Sequence, residues 1–158
     1  MLPAVIHQYW DRPVPPSDVA ERMKSWRTLH SGWDYRRWDD RSGGAFIADQ
    51  FGAQAVRSFF AAVHPSMRAD LLRTSLLLVF GGVYADADIK CREPIDNFVA
   101  GASTLIYTEK IVGAVSLAND FIAIEPGHPF IAKAWEAMVK NVGGSESWRS
   151  ISQATGPV

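Results

Sequence analysis

The stretch "RADLLRTSLLLVFGGVYADAD" constrains this chain more than any other. Pro65 and Ser66 open a run in which Met67, Leu71, Leu72, Leu76 and Val79 or Phe80 repeat at helical spacing, so a helix with a wide apolar face is expected up to Gly81. The uncharged run from Thr74 to Ala85 is too short to cross a bilayer and is interrupted by Gly81 and Gly82. A helix buried on so wide a face needs a sheet beneath it, and the next residues, Val83–Ala85, read as a short strand. Two aspartates, Asp86 and Asp88, follow that strand directly.

The rest of the chain alternates in the same manner. "PAVIHQYW" reads as a buried strand that ends at the three prolines of "DRPVPP". Asp18 and Glu21 have capping-box spacing, ahead of a helical stripe of Val19, Met23, Trp26 and Leu29 or His30. "WDYRRWDD" suits a strand, and residues 44–63 suit one or two short helices broken near Gly52. Further strands are expected at Ser103–Thr108 and Asp120–Ile124. A last helix is expected from Pro129 to Lys140, with Gly143 and Gly144 after it. Strands alternating with helices predict one α/β domain over residues 1–158, with a mainly parallel sheet and its ligand beyond the carboxyl ends of the strands.

Charge and cysteine content narrow the function classes. Sixteen Lys and Arg against 17 Asp and Glu leave a formal charge of −1, so no overall field recruits nucleic acid or an anionic membrane. Arg36, Arg37 and Arg41 are read as a solvated face. A single cysteine, Cys91, excludes an internal disulfide framework and, with no signal peptide or membrane span in the sequence, gives the expectation of a cytoplasmic protein. Peripheral contact with a membrane stays open.

In an extended segment Asp86 and Asp88 would project to one side, where two carboxylates repel unless a cation lies between them. A hard divalent cation prefers such oxygen ligands and would keep coordination positions for water and phosphate. Alone, D-x-D is also an ordinary turn. A phosphatase pattern of D-x-D-x-T/V fits poorly, because Lys90 occupies the threonine or valine position and the glycines break the preceding run. Asp70 and Arg73, three apart on the preceding helix, share one face. They make either a local ion pair or a carboxylate for hydroxyls beside a guanidinium for phosphate.

"IHQYW", "RADLLRTSLLLVFGGVYADADIKC", "NDFIAIEPGHPF" and "TGP" resemble, in order and spacing from Val5 to Pro157, the glycosyltransferase family with the sugar-binding-region DXD motif. That family includes fungal initiating mannosyltransferases and bacterial capsular or lipopolysaccharide glycosyltransferases, and the catalytic domain of large clostridial glucosylating toxins is similar. The resemblance implies a GT-A fold, a nucleotide-sugar donor, a Mn2+ (or Mg2+) cofactor, a glycan, lipid-linked or protein acceptor, and retention of anomeric configuration. It implies that Trp10 stacks on the base with His7 and Gln8 beside it, and that Asp70 and Arg73 contact the donor sugar and its diphosphate link. Tyr84 then belongs to the donor site, Asp86 holds hydroxyls beside the metal, Asp88 ligates the metal, and Asn119 and Asp120 lie near the anomeric carbon. The family pattern continues past "TGP" into a segment carrying a histidine and a tryptophan. His7, His30, His64 and His128 all lie upstream of it, so a domain truncated at its C-terminus, a naturally short member of the family or a chain that needs a partner segment is expected, as either a competent enzyme or a non-catalytic nucleotide-sugar-binding remnant.

Overall fold

In a computed structural model of the chain, residues 1–111 and 114–143 are described. Five strands form one sheet in the order β2-β1-β3-β5-β4. They are β1 (Val5–Tyr9), β2 (Asp34–Trp38), β3 (Gly82–Ala85), β4 (Thr104–Ile111) and β5 (Ala114–Ile124). The helices are α1 (Ser17–Leu29), α2 (Asp40–Ala61), α3 (Pro65–Phe80), α4 (Asp96–Val99) and α5 (Pro129–Gly143). The last glycine pair and "TGP" fall at or beyond the end of the described residues.

The sheet is α/β as expected, but mixed. β2, β1 and β3 run parallel, each joined through a helical crossover, whereas β3-β5 and β5-β4 are antiparallel. The mainly parallel arrangement therefore holds for half of the sheet. The reason is local: β4 and β5 lie only two residues apart in sequence, and a parallel pair needs a crossover of a dozen residues or more.

Both faces of the sheet are covered, which explains why all five residues of β1 are buried instead of alternating with solvent. Leu71, Leu72, Leu76 and Leu77 of α3 pack with Ile47 and Phe59 of α2, Trp135 of α5, and Tyr84 and Ile122 of the sheet. On the opposite face, Ile6, Val83, Ala85, Phe121 and Ala123 pack with Trp26 of α1 and with Ile95 and Val99. Alternation along β3 thus sends Tyr84 toward α3 and its neighbours toward α1.

Two local expectations are corrected. Asp18 and Glu21 do not form a capping box: α1 starts at Ser17 with Pro16 as its N-cap, so Asp18 already lies in the first turn, and the proline ring offers no side-chain acceptor for a cap bond. The box instead opens α2, where the Asp39 carboxylate accepts from the Ser42 N–H at 2.8 Å and Ser42 Oγ accepts from the Asp39 N–H at 2.9 Å. That cap starts the helix at Asp40 rather than at residue 44. The break near Gly52 is present, at φ 82° and ψ −175°.

The Gly81–Gly82 pair turns α3 into β3. Gly81 has φ 61° and Gly82 φ 87°, a region that costs an L-residue about 1–2 kcal/mol. A Cβ on Gly82 would also lie 2.5 Å from the Val5 carbonyl oxygen, since β3 passes close against β1 there. Gly82→Ala is expected to cost about 3 kcal/mol. Gly127→Ala, at φ 70° with nothing within 4 Å of the added carbon, should cost about 1 kcal/mol. Urea unfolding of the two variants checks the contrast, and equal losses would contradict the close-approach account.

Candidate active site

The carboxyl ends of β1 and β3, the loop after β1 and the first turns of α3 enclose a cavity of about 660 Å³. Its lining includes Tyr9, Trp10, Pro15, Ala69, Arg73, Tyr84, Asp86 and Asp88. The floor is an ion cluster built by register. β3 ends at Ala85, paired with Phe121, so the next residue on each strand, Asp86 and Asp120, sit side by side, and the Asp86 N–H donates to the Asp120 carbonyl at 2.8 Å. By the same alternation Asp86 faces α3, where Asp70 and Arg73 occupy one helical face.

Arg73 is 4% exposed and lies among acceptors. One Nη is 3.2 Å from Asp70 Oδ1 and 3.1 Å from Asp86 Oδ1, and the other donates to the Asn119 carbonyl. Its guanidinium carbon lies 4.7 Å from the centre of the Tyr84 ring, a cation–π arrangement. The Asn119 side-chain amide donates to Asp70 Oδ1 at 3.1 Å, and the Tyr107 hydroxyl donates to Asp120 Oδ1. Burial alone would loosen the Arg73 proton, but Tyr84, Asp86, Asp70 and Asp120 together raise its pKa, so it stays a cation. Burial likewise pushes Tyr84 well above the usual phenol range. One buried donor at this floor, Arg73 Nε, has no hydrogen-bond partner among the described residues, while the Tyr84 hydroxyl interacts with the Asp86 carboxylate. Such an orphan costs about 1–3 kcal/mol, which an acceptor on a bound ligand would offset.

Burial raises the Asp86 pKa to about 6, Arg73 opposes the rise, and Asp88, Asp70 and Asp120 add to it. Asp88 is exposed at the cavity, two residues further on. The two do not project from one extended strand: residues 86–89 form a turn closed by the Ile89 N–H to the Asp86 carbonyl at 3.1 Å, with Ala87 buried between the aspartates. The turn still leaves both carboxylates on the cavity. This all-oxygen, negatively charged pair fits a hard divalent cation. Among the described residues no group of three or more His, Cys, Asp or Glu side chains is gathered to hold a metal.

The expected site residues separate by position. Arg73, Tyr84 and Asp86 form the floor, and Trp10 and Asp88 lie on the cavity wall. Asp70 and Asn119 stand behind Arg73, on a separate small cavity against α5, and Asp120 sits beside Asp86 without lining the main cavity. His7 and Gln8 are fully buried beneath it. Gln8 donates to the Asp86 carbonyl at 3.2 Å and accepts from the Tyr35 hydroxyl at 2.9 Å, so it braces the aspartate turn. His7 stacks on Phe80 at 5.8 Å, accepts from Trp38 Nε1 at Nδ1, and reaches the Gly81 carbonyl through Nε2.

Sequence reasoning missed several residues. Tyr9 lines the wall, and its hydroxyl donates to Asp40, which also pairs with Arg68 at 3.1 Å. The loop "DRPVPP" contributes five lining residues, and Arg37 holds it by donating to the Arg12 carbonyl at 3.2 Å. Its prolines announced an irregular, stiff segment, but nothing in them announced a cavity wall.

A profile of the family described as "Glycosyltransferase sugar-binding region containing DXD motif" matches residues 16–105. The chain belongs to this family. It is 29% identical over 136 residues to inositol phosphoceramide mannosyltransferase 1 of Schizosaccharomyces pombe, covering 84% of this chain and 41% of that protein. It is 28% identical over 138 residues to mannosyl phosphorylinositol ceramide synthase SUR1 of Saccharomyces cerevisiae, covering 87% of this chain and 35% of that one. The chain thus spans less than half the length of these relatives. The solved structure "PaToxG Glycosyltransferase" superposes with a TM-score of 0.69 at 16% identity, over 99% of this chain and 66% of that one. The fold is accordingly α/β of the GT-A type. No described helix is long and apolar enough to cross a membrane.

Two predictions follow from burial around the cavity. Burial, followed by the Arg36 charge, lowers the His7 pKa from 6.5 to about 4, with Gly81 and Asp34 opposing. The folded state then binds this proton less tightly than the unfolded chain. Stability from His7 is complete above pH 6.5 and is lost as pH falls toward 4, by on the order of 3 kcal/mol. His7→Phe, which keeps a ring, should flatten the pH dependence of urea unfolding in that window; parallel profiles would contradict it. Arg73→Met, which leaves Asp70 and Asp86 facing each other without their countercharge, should lose about 3–5 kcal/mol in the same measurement at pH 7.

Proposed function

We propose that this chain binds a nucleotide-sugar donor with a divalent cation, Mn2+ or Mg2+, and forms the donor side of a retaining hexosyltransferase. The observation that carries this reading is the partnerless buried donor Arg73 Nε, on a cationic side chain at the floor of a cavity walled by Trp10 and Asp88. Trp10 is half-buried and offers an aromatic plane on which a base can stack without specific hydrogen bonds. Arg73, fixed on Asp70, Asp86 and the Asn119 carbonyl, supplies a preorganised positive charge for the diphosphate as negative charge develops on the departing oxygen. Asp70, Asp86, Asn119 and Asp120 supply acceptors for sugar hydroxyls and a negative surround for the positive charge that grows at the anomeric carbon. A bound cation, held by Asp88 and Asp86, would neutralise the diphosphate and favour its departure.

The acceptor class is a hydroxyl on a glycan, lipid-linked or protein partner. The names of the two fungal relatives, which refer to mannosylation of inositol phosphoceramide, support a lipid-linked hydroxyl within it. No protein nucleophile is assigned, and attack by the acceptor hydroxyl on the face that the diphosphate leaves accords with retention.

Titration calorimetry with GDP and UDP, each with and without Mn2+, tests the reading. Binding is expected to tighten at least tenfold with Mn2+ and to lose that gain in Asp88→Ala. Absence of nucleotide binding in the presence of Mn2+ would overturn it. Metal-dependent binding with neither donor hydrolysis nor sugar transfer would identify a binding module instead of an enzyme.

A further inference from the structure

The backbone that follows the first aspartate is irregular. Residues 86–95 contain neither helix nor strand, so their N–H and C=O groups need partners outside regular structure. One face of α1 and its C-cap supplies them. Arg22 Nη1 donates to the Asp88 carbonyl at 2.8 Å, and Trp26 Nε1 donates to the Ile89 carbonyl at 2.8 Å. Ser25 Oγ accepts from the Cys91 N–H at 2.9 Å. His30 Nε2 accepts from the Ile95 N–H at 2.9 Å while its Nδ1 meets the Trp26 carbonyl at 2.8 Å, which sets the ring tautomer. Positions 22, 25, 26 and 30 follow one helical stripe, so these contacts are a single surface and not four coincidences.

That stripe has a packing side and a polar side. Trp26 is 3% exposed and stacks on His30 and Phe121, which fixes the indole N–H under Ile89. Arg22 is exposed, with Asp18 at 4.0 Å, and contributes little burial. Its contact falls on the residue whose carboxylate stands at the cavity. We infer that Arg22 is a positioning residue for the aspartate turn: by holding the Asp88 carbonyl, it fixes the direction of the Asp88 side chain and so sets how readily the site takes a divalent cation. Trp26, Ser25 and His30 clamp the segment behind it. The inference rests on the reading of the cavity as a cation-dependent nucleotide site.

Cys91 is the chain's one cysteine, is buried, and sits inside the clamped segment, so its labelling by a thiol reagent reports local opening. Arg22→Met removes the donor and keeps an unbranched apolar side chain, while Arg22→Lys keeps a charged donor. The experiment follows binding of GDP and UDP against Mn2+ concentration, Cys91 labelling without ligand, and the melting temperature. In Arg22→Met, about tenfold more Mn2+ is expected for half-maximal binding, with Cys91 labelled severalfold faster and the melting temperature close to wild type. Arg22→Lys should recover most of both losses. An unchanged Mn2+ requirement in Arg22→Met overturns the inference, whatever happens to Cys91. If wild type binds neither nucleotide with Mn2+, the functional reading fails instead. Cys91 labelling then decides the clamp alone: faster labelling in Arg22→Met sustains it and unchanged labelling removes it.

Discussion

A buried guanidinium must be surrounded by acceptors, and in this chain that requirement organises the whole carboxyl end of the sheet. Arg73 enters from α3, and its partners come from the same helix (Asp70), the end of β3 (Asp86) and β5 (Asn119). Taking such charges out of water costs several kcal/mol per ion, so the cluster contributes geometry more than stability. It requires α3 to lie over β3 in one rotation and β5 to pair with β3 in one register. A one-residue slip in that pairing would turn Asp86 or Asn119 away from the guanidinium.

The glycines between α3 and β3 serve the same arrangement. They let the chain reverse within two residues, so that a helix ending at Phe80 returns beneath itself as the strand that carries Tyr84 and Asp86. On the other face α1 has a different task. It holds an irregular segment in place through side chains, where no strand or helix satisfies the backbone. The aspartate turn is thus gripped from both faces, by Arg73 at the Asp86 carboxylate and by Arg22 at the Asp88 carbonyl, with Gln8 below. A site with rigid supports loses less freedom when a charged ligand binds.

Much of this was legible in the sequence. The leucine spacing of α3, the glycine pair and the position of Asp86 after a strand follow from periodicity and turn chemistry. The 70–73 spacing points to the ion pair, because residues three apart on a helix share a face. Other features depend on partners far along the chain. Whether Asp120 meets Asp86 depends on the antiparallel register of β5, which no local pattern states. His7 and Gln8 sit beside Trp10 in sequence, but strand geometry buries both, one among aromatic rings and one beneath the turn. Spacing alone cannot tell a helix start from a helix interior, so Asp18 and Glu21 mimic a capping box within α1, while Asp39 and Ser42 form both halves of the real one. The extended arrangement of Asp86 and Asp88 was overridden by a turn that buries Ala87.

Under the proposed function, the Asp86–Asp88 turn and Arg73 together receive a cation-bound diphosphate. Crystals grown with Mn2+ and a nucleoside diphosphate, measured at the manganese absorption edge, address it directly. An anomalous peak is expected within coordination distance of the Asp88 carboxylate, with the diphosphate between that peak and Arg73 and the base against Trp10. A manganese peak away from the aspartate turn, or a nucleotide outside the cavity, would contradict it.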